Sequence, residues 1–164
     1  MARHSETRKK LLSLTDFLTA FFVFSLVTVA FHEYLHATVA KLLGGSAVVH
    51  YNFFSGYAVP VGLEGWKLVL TAFAGGVGCF LLFLYFFLWW LEEPNDYYVR
   101  LACLYWLGTQ LVYGLAEGLK FWIGGIDLQL ASILGSLFGV VLVLLFIEKS
   151  PKQKPGLRSS RKFL

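Results

Sequence analysis

The sequence predicts an all-α polytopic membrane protein with four transmembrane helices and a short membrane-associated β-hairpin after the first. The chain has 164 residues, of which 57% are hydrophobic and 18% aromatic but only 15% charged. That composition is more apolar than a soluble domain of this size. Four apolar stretches each reach the length of about 20 residues that a helix needs to cross a hydrocarbon core.

The predicted organisation is one transmembrane core, residues 13–147, between two basic tails, residues 1–12 and 148–164. We expect the first tail to be loosely ordered and the second to be disordered, because charges and prolines prevent a packed core. Gly44-Gly45 and Gly124-Gly125 are predicted to stop the first and third helices. The four spans are predicted at residues 16–43, 65–91, 97–122 and 127–147.

Residues 46–62 differ in composition from the apolar spans on either side. They are rich in β-branched and aromatic side chains around a Ser55-Gly56 turn, which predicts a β-hairpin. Because an open strand edge cannot face lipid, we expect the hairpin at the membrane interface or against a cavity in the protein.

An H-E-x-x-H motif lies in the first predicted span. On a helix, residues four apart share a face, so His32 and His36 are able to bind one metal ion. Glu33 is then placed to act on a metal-activated water. Such a short pattern also arises by chance, but ionisable residues inside a span are rare and mostly functional. The sequence therefore predicts a zinc hydrolase site within the membrane.

A catalytic zinc site takes three protein ligands, and the chain offers three candidates for the third. We favour Asp127, because a residue at the start of a helix after a glycine break is free to point into the bundle. Glu117, on a polar face of the third span that also carries Gln110 and Tyr113, ranks second, and His50 in the hairpin ranks third. The alternative role of Asp127 is to cap the fourth helix, and that of Glu117 is a structural hydrogen bond.

These features resemble the site-2 protease family, the intramembrane zinc metalloproteases that cut transmembrane segments. The resemblance rests on the H-E-x-x-H span, the hairpin that follows it, and Ala74-Gly75-Gly76, which is similar to the family's Ala-Gly-Pro element. It implies peptide-bond hydrolysis with Glu33 as the base and with Zn2+ held by His32, His36 and Asp127.

The resemblance also implies how a substrate binds. In the family, the hairpin engages a transmembrane protein substrate as an added strand, and we assign that contact to Asn52, Phe53 and Phe54. The family's Asn-x-x-Pro and Asp-Gly elements are missing around Asp127, so the chain resembles a divergent, minimal member. Two other functions stay open: a membrane metallohydrolase acting on a lipid amide or other non-protein substrate, and a non-catalytic chaperone or adaptor.

The net charge of +4 comes from the two tails. Beside membrane spans, these charges indicate topology and contact with the lipid bilayer, and no nucleic acid partner is expected. With both termini in the cytoplasm, Arg100 joins the tails inside and leaves Lys41, Lys67 and Lys120 outside. That count favours cytoplasmic termini, although in the resembled family the metal-bearing helix usually runs toward the cytoplasm, which places the N-terminus outside.

Overall fold

The computed structural model describes residues 2–52, 55–91 and 97–149. Its architecture is mostly helical with one two-stranded antiparallel sheet, which confirms the predicted helices and hairpin. The elements in chain order are α1 (Ala2–Leu42), β1 (Ser46–Tyr51), β2 (Gly56–Val61), α2 (Trp66–Trp90), α3 (Tyr97–Ile123) and α4 (Leu128–Lys149).

Helix α1 begins at Ala2, so the expectation that the first basic tail is loosely ordered is wrong for residues 2–12, which are helical. The first 42 residues contain neither glycine nor proline, and once a helix has formed nothing in such a sequence stops it from extending. The predicted end of this helix at Gly44-Gly45 is confirmed. Gly44 takes a φ of 88°, and the Gly45 N–H donates to the Ala40 carbonyl at 3.0 Å, as in a Schellman cap.

Three helical segments of the described chain are long and apolar enough to cross a membrane: Leu14–Leu42, Trp66–Trp89 and Leu128–Ile147. Helix α3 is not among them, so the predicted count of four spans is not confirmed. The reason lies in its composition, since α3 carries Arg100, Glu117 and Lys120. Helix α3 packs against the three other helices, and Gln110 and Glu117 face protein. Its crossing of the bilayer stays a prediction.

Glycines set the distances between the helices. A Cβ on Gly114 of α3 would lie 2.5 Å from the Gly76 Cα of α2, and a Cβ on Gly108 would lie 2.9 Å from the Gly139 Cα of α4. Larger side chains at these crossings would hold the helices apart. Close contact at Gly76 and Gly114 brings the C-terminal half of α3 toward the motif on α1.

The hairpin packs against α1. Its register pairs Ser46 with Val61 and Tyr51 with Gly56. The turn is closed by the Asn52 N–H, which donates to the Ser55 carbonyl at 2.8 Å. The Asn52 side chain accepts from the Ser55 N–H at 2.9 Å. Asn52 therefore holds the turn together, whereas Phe53 and Phe54, predicted with it to bind substrate, lie outside the described residues.

Candidate metal centre

Two helices bring three ligand atoms together. His32 and His36 on α1 both direct Nε2 toward the Glu117 carboxylate on α3. The His32 Nε2 lies 3.0 Å from Glu117 Oε2, and the His36 Nε2 lies 3.4 Å from the same oxygen. Both histidines are buried. Within the part of the chain that the structure describes, this is the group of His, Cys, Asp or Glu side chains able to share a metal ion.

Hydrogen bonds on the far side of each imidazole orient the two rings. The His36 Nδ1 bonds to the backbone carbonyl of Thr71, and the His32 Nδ1 lies 3.1 Å from Gln110 Oε1. A carbonyl oxygen only accepts, so each Nδ1 carries the proton and each Nε2 presents a lone pair. Ligand histidines in metal sites are commonly held in this way.

The arrangement fits a metal ion. In neutral imidazoles, two Nε2 lone pairs face a carboxylate oxygen, and electron-pair donors placed this close repel one another unless a proton or a metal ion lies between them. The His36 Nε2 is buried without a hydrogen-bond partner among the described residues, which is costly for a polar atom. Two histidines and one glutamate form one of the ligand sets of catalytic zinc, with a fourth position left for water.

The backbone of α2 lies directly against the ligand atoms at Gly75. A Cβ at this position would be 2.6 Å from the His32 Nε2 and closer still to the His36 Nε2. The glycine is therefore required for space at the site as well as for helix packing.

We expect Gly75→Ala to weaken zinc binding, because the added methyl group would occupy the region in which the three ligand atoms converge. Overpacking of this kind costs about 1–3 kcal/mol, which corresponds to a loss of affinity of about 5- to 150-fold. Isothermal titration of zinc into the metal-free protein measures it. Gly78→Ala is the matched control, since its Cβ meets only the flexible side chain of Leu35. Equal zinc affinity in both variants would contradict the assignment.

Glu33 lies between the metal ligands and the hairpin. It is buried, and its carboxylate accepts a backbone hydrogen bond from Ala58 in β2. The hairpin approaches it closely, because a Cβ on Gly56 would lie 2.7 Å from the Glu33 Cγ. Strand β2 thus holds the carboxylate beside His32.

A cavity of about 330 Å³ opens onto His32 and Glu33. It lies among α1, α3, α4 and the hairpin turn. The polar side chains that line it are Ser25, Thr28, Ser55, Thr109, Gln110, Tyr113 and Ser132. The site is therefore in contact with a space that water or a peptide backbone is able to occupy.

The structure does not bring Asp127, our favoured third ligand, to the histidines. Its Oδ1 accepts from the backbone N–H groups of Gln129 at 2.8 Å and Leu130 at 3.3 Å. This is the N-cap role that the sequence offered as the alternative. His50 stacks on the Tyr57 ring of the neighbouring strand, with centroids 4.9 Å apart. Of the three candidates, only Glu117 joins the pair.

A signal for Glu117 is present in the sequence. Glu117 is followed by Gly118, an acidic residue and a glycine in the order that the resembled family has as Asp-Gly. We looked for that pair near Asp127, where it is missing, and ranked Glu117 second as a ligand. In the fold, Gly118 leaves room for the Phe73 ring of α2, so this pair also sets how α3 packs.

A model of the family described as Peptidase M50B-like matches residues 11–152. The matched range includes both histidines, Glu33, the hairpin and Glu117. No curated protein shows a significant match to the chain. The same is true of solved structures.

Proposed function

The chain belongs to the Peptidase M50B-like family, and we propose that it is an intramembrane zinc metalloprotease that hydrolyses a peptide bond in or near a transmembrane segment of a membrane protein. Membership confirms the resemblance to site-2 proteases and supports a membrane metalloprotease at the level of the family. The observation that carries the finer proposal is the convergence of His32 and His36, on a helix apolar enough to span a bilayer, with Glu117 of α3 beside Glu33.

The proposed zinc ligands are the His32 Nε2, the His36 Nε2 and a Glu117 carboxylate oxygen. When bound, zinc supplies Lewis acidity toward the scissile carbonyl and toward a water molecule. The protein's own contribution is to fix the ligand geometry. Gln110 and Thr71 hold the two rings so that both lone pairs converge.

Glu33 is the proposed general base. Its carboxylate takes a proton from the attacking water, whose oxygen bonds to the carbonyl carbon, and it passes that proton to the nitrogen as the C–N bond breaks. The products are a carboxylate and an amine. The Ala58 N–H keeps the carboxylate in position, because it occupies one acceptor site and leaves the others for water.

We propose that the substrate binds along the outer edge of β2. Cross-strand pairs alternate between hydrogen-bonded and free. Since Asn52 bonds to Ser55, the backbone groups of Gly56 and Ala58 face away from β1. On that edge the Ala58 N–H already donates to Glu33, and the Gly56 N–H and the carbonyl oxygens of both residues are left for a peptide. An extended peptide added there as a third strand would run past the base, which moves the predicted contact from the turn, Asn52 to Phe54, to the strand.

The experiment that tests the function uses purified protein reconstituted with zinc in lipid vesicles. A reporter with one transmembrane segment is offered in parallel with a lipid amide. We expect cleavage of the reporter alone. Cleavage of the lipid amide alone would establish the non-protein hydrolase, and a protein that binds no zinc and cleaves neither would be a chaperone or adaptor.

We also propose that both termini lie in the cytoplasm. The basic residues of the two tails carry this proposal through the positive-inside rule. Epitope tags at each end, probed by protease in intact cells, are expected to be protected. Accessible tags at both ends would contradict the proposal. Tags on opposite sides would mean that α3 does not cross the membrane.

A further inference from the structure

Tyr113 lies on α3 between the two residues of that helix that contact His32. Gln110, Tyr113 and Glu117 follow one another at spacings of three and four residues and therefore share one face of the helix. The residues on either side of Tyr113 both contact His32, Gln110 at Nδ1 and Glu117 at Nε2. The Tyr113 ring lies beside the same imidazole, with the two centroids 5.6 Å apart.

The Tyr113 hydroxyl has no hydrogen-bond partner among the described residues. Tyr113 lines the cavity together with His32 and Glu33, and its hydroxyl interacts electrostatically with Glu33 and Glu117. At neutral pH a phenol carries an O–H donor, and a tyrosine hydroxyl inside a protein usually finds an acceptor. Phenylalanine would fill the same space, so packing does not account for the oxygen.

Three of the other polar groups around the cavity are already engaged within the fold. Thr28 donates to the Phe24 carbonyl at 2.6 Å, and Thr109 donates to the Tyr105 carbonyl at 3.0 Å. The Trp106 indole N–H donates to the Phe21 carbonyl at 3.2 Å, across to α1. These three groups maintain helix geometry or helix contacts, whereas the Tyr113 phenol beside His32 keeps a donor that is not engaged by any other described residue.

Hydrolysis of a peptide bond needs such a donor. When water adds to the carbonyl carbon, the carbonyl oxygen gains negative charge, and a hydrogen-bond donor already in place stabilises that charge. We propose that Tyr113 is a further catalytic residue, whose hydroxyl donates to the carbonyl oxygen of the scissile bond as that oxygen becomes an oxyanion. The tyrosine keeps its proton throughout. This inference rests on the proposed protease function.

The test is Tyr113→Phe, which removes one oxygen atom that has no hydrogen-bond partner among the described residues. Loss of one oxyanion donor typically lowers kcat by roughly 10²- to 10³-fold. We expect a decrease of that order for the membrane reporter, with KM and zinc content unchanged. Tyr105→Phe is the matched control: it lies on the same helix, contacts Phe21 and Trp106, and does not line the cavity.

A binding measurement separates this role from a structural one. A phosphinic peptide mimics the tetrahedral oxyanion. Its dissociation constant for Tyr113→Phe is expected to rise by about the same factor as kcat falls. Binding of intact substrate, measured with Glu33→Gln also present, is expected to be unchanged. Unaltered phosphinic peptide binding, a change in KM alone, or loss of zinc would each overturn the role of Tyr113. If the wild type cleaves no peptide, the protease function falls as well, so the two failures are distinguishable.

Discussion

Glu33→Gln is expected to lower kcat for a membrane-embedded reporter by roughly 10²- to 10⁴-fold, the range that general acid–base catalysis contributes. Glutamine keeps the size of the side chain and an oxygen able to accept from the Ala58 N–H, but it cannot take a proton from water. The residue is not one of the three proposed ligands, so zinc content should match that of the wild type. Cleavage rate and zinc stoichiometry are measured on the same preparation.

Glu64→Gln provides the control for this change. Glu64 lies in the exposed segment between β2 and α2, so the same loss of charge occurs there without reaching the site. It should cleave at the wild-type rate. Undiminished cleavage by Glu33→Gln would rule out Glu33 as the base, and a variant without zinc would indicate a ligand role instead.

The second large effect is expected from Glu117→Gln, which converts the proposed third ligand from a carboxylate to an amide. Altering residues that merely orient metal ligands already weakens binding by about 10- to 100-fold. A ligand itself should cost at least that, so we expect the variant to lose zinc during purification and to be inactive. Zinc per chain is measured by atomic emission, with His36→Ala as the positive control for loss.

Asp127→Asn makes the same chemical change at the residue that the sequence favoured. Asparagine caps a helix about as well as aspartate, so α4 should keep its stability. We therefore expect Asp127→Asn to retain both zinc and activity. Retention of zinc by Glu117→Gln together with its loss from Asp127→Asn would overturn the ligand set and return Asp127 to the site.

The local elements of this protein follow from neighbouring residues. Glycines after α1 end it through their own backbone conformation, and a β-branched, aromatic segment forms the hairpin. Its turn lies before Gly56, which pairs with Tyr51 as the first residue of β2, and not at Ser55-Gly56 as predicted. The pairing of His32 with His36 also needs no tertiary information, because a spacing of four places both on one face of any helix. For this reason the two histidines and the adjacent Glu33 were found from the sequence, and the metal-binding role predicted for the pair awaits the zinc measurements above.

The helical start of α1 was not predicted, although it also depends on local sequence. Charge and polarity suggested a loose tail, but neither breaks a helix, and the first residues contain no residue that does. The prediction of α3 as a fourth span was not confirmed for a different reason, the low apolar content of this helix. Its composition reflects burial among the other helices, and burial depends on contacts with residues distant in the chain.

The identity of the carboxylate that joins the two histidines depended on tertiary structure. Both Asp127 and Glu117 follow sequence patterns compatible with a ligand, and their distances from the histidines depend on how α3 sits against α1 and α2. That position is set by the contact of Gly76 with Gly114, where two backbones meet without side chains. The sequence by itself determined the histidine pair and the carboxylate adjacent to it, because those relations are local to one helix. Only the packing of separate helices decided which carboxylate, which strand edge and which phenol lie beside them.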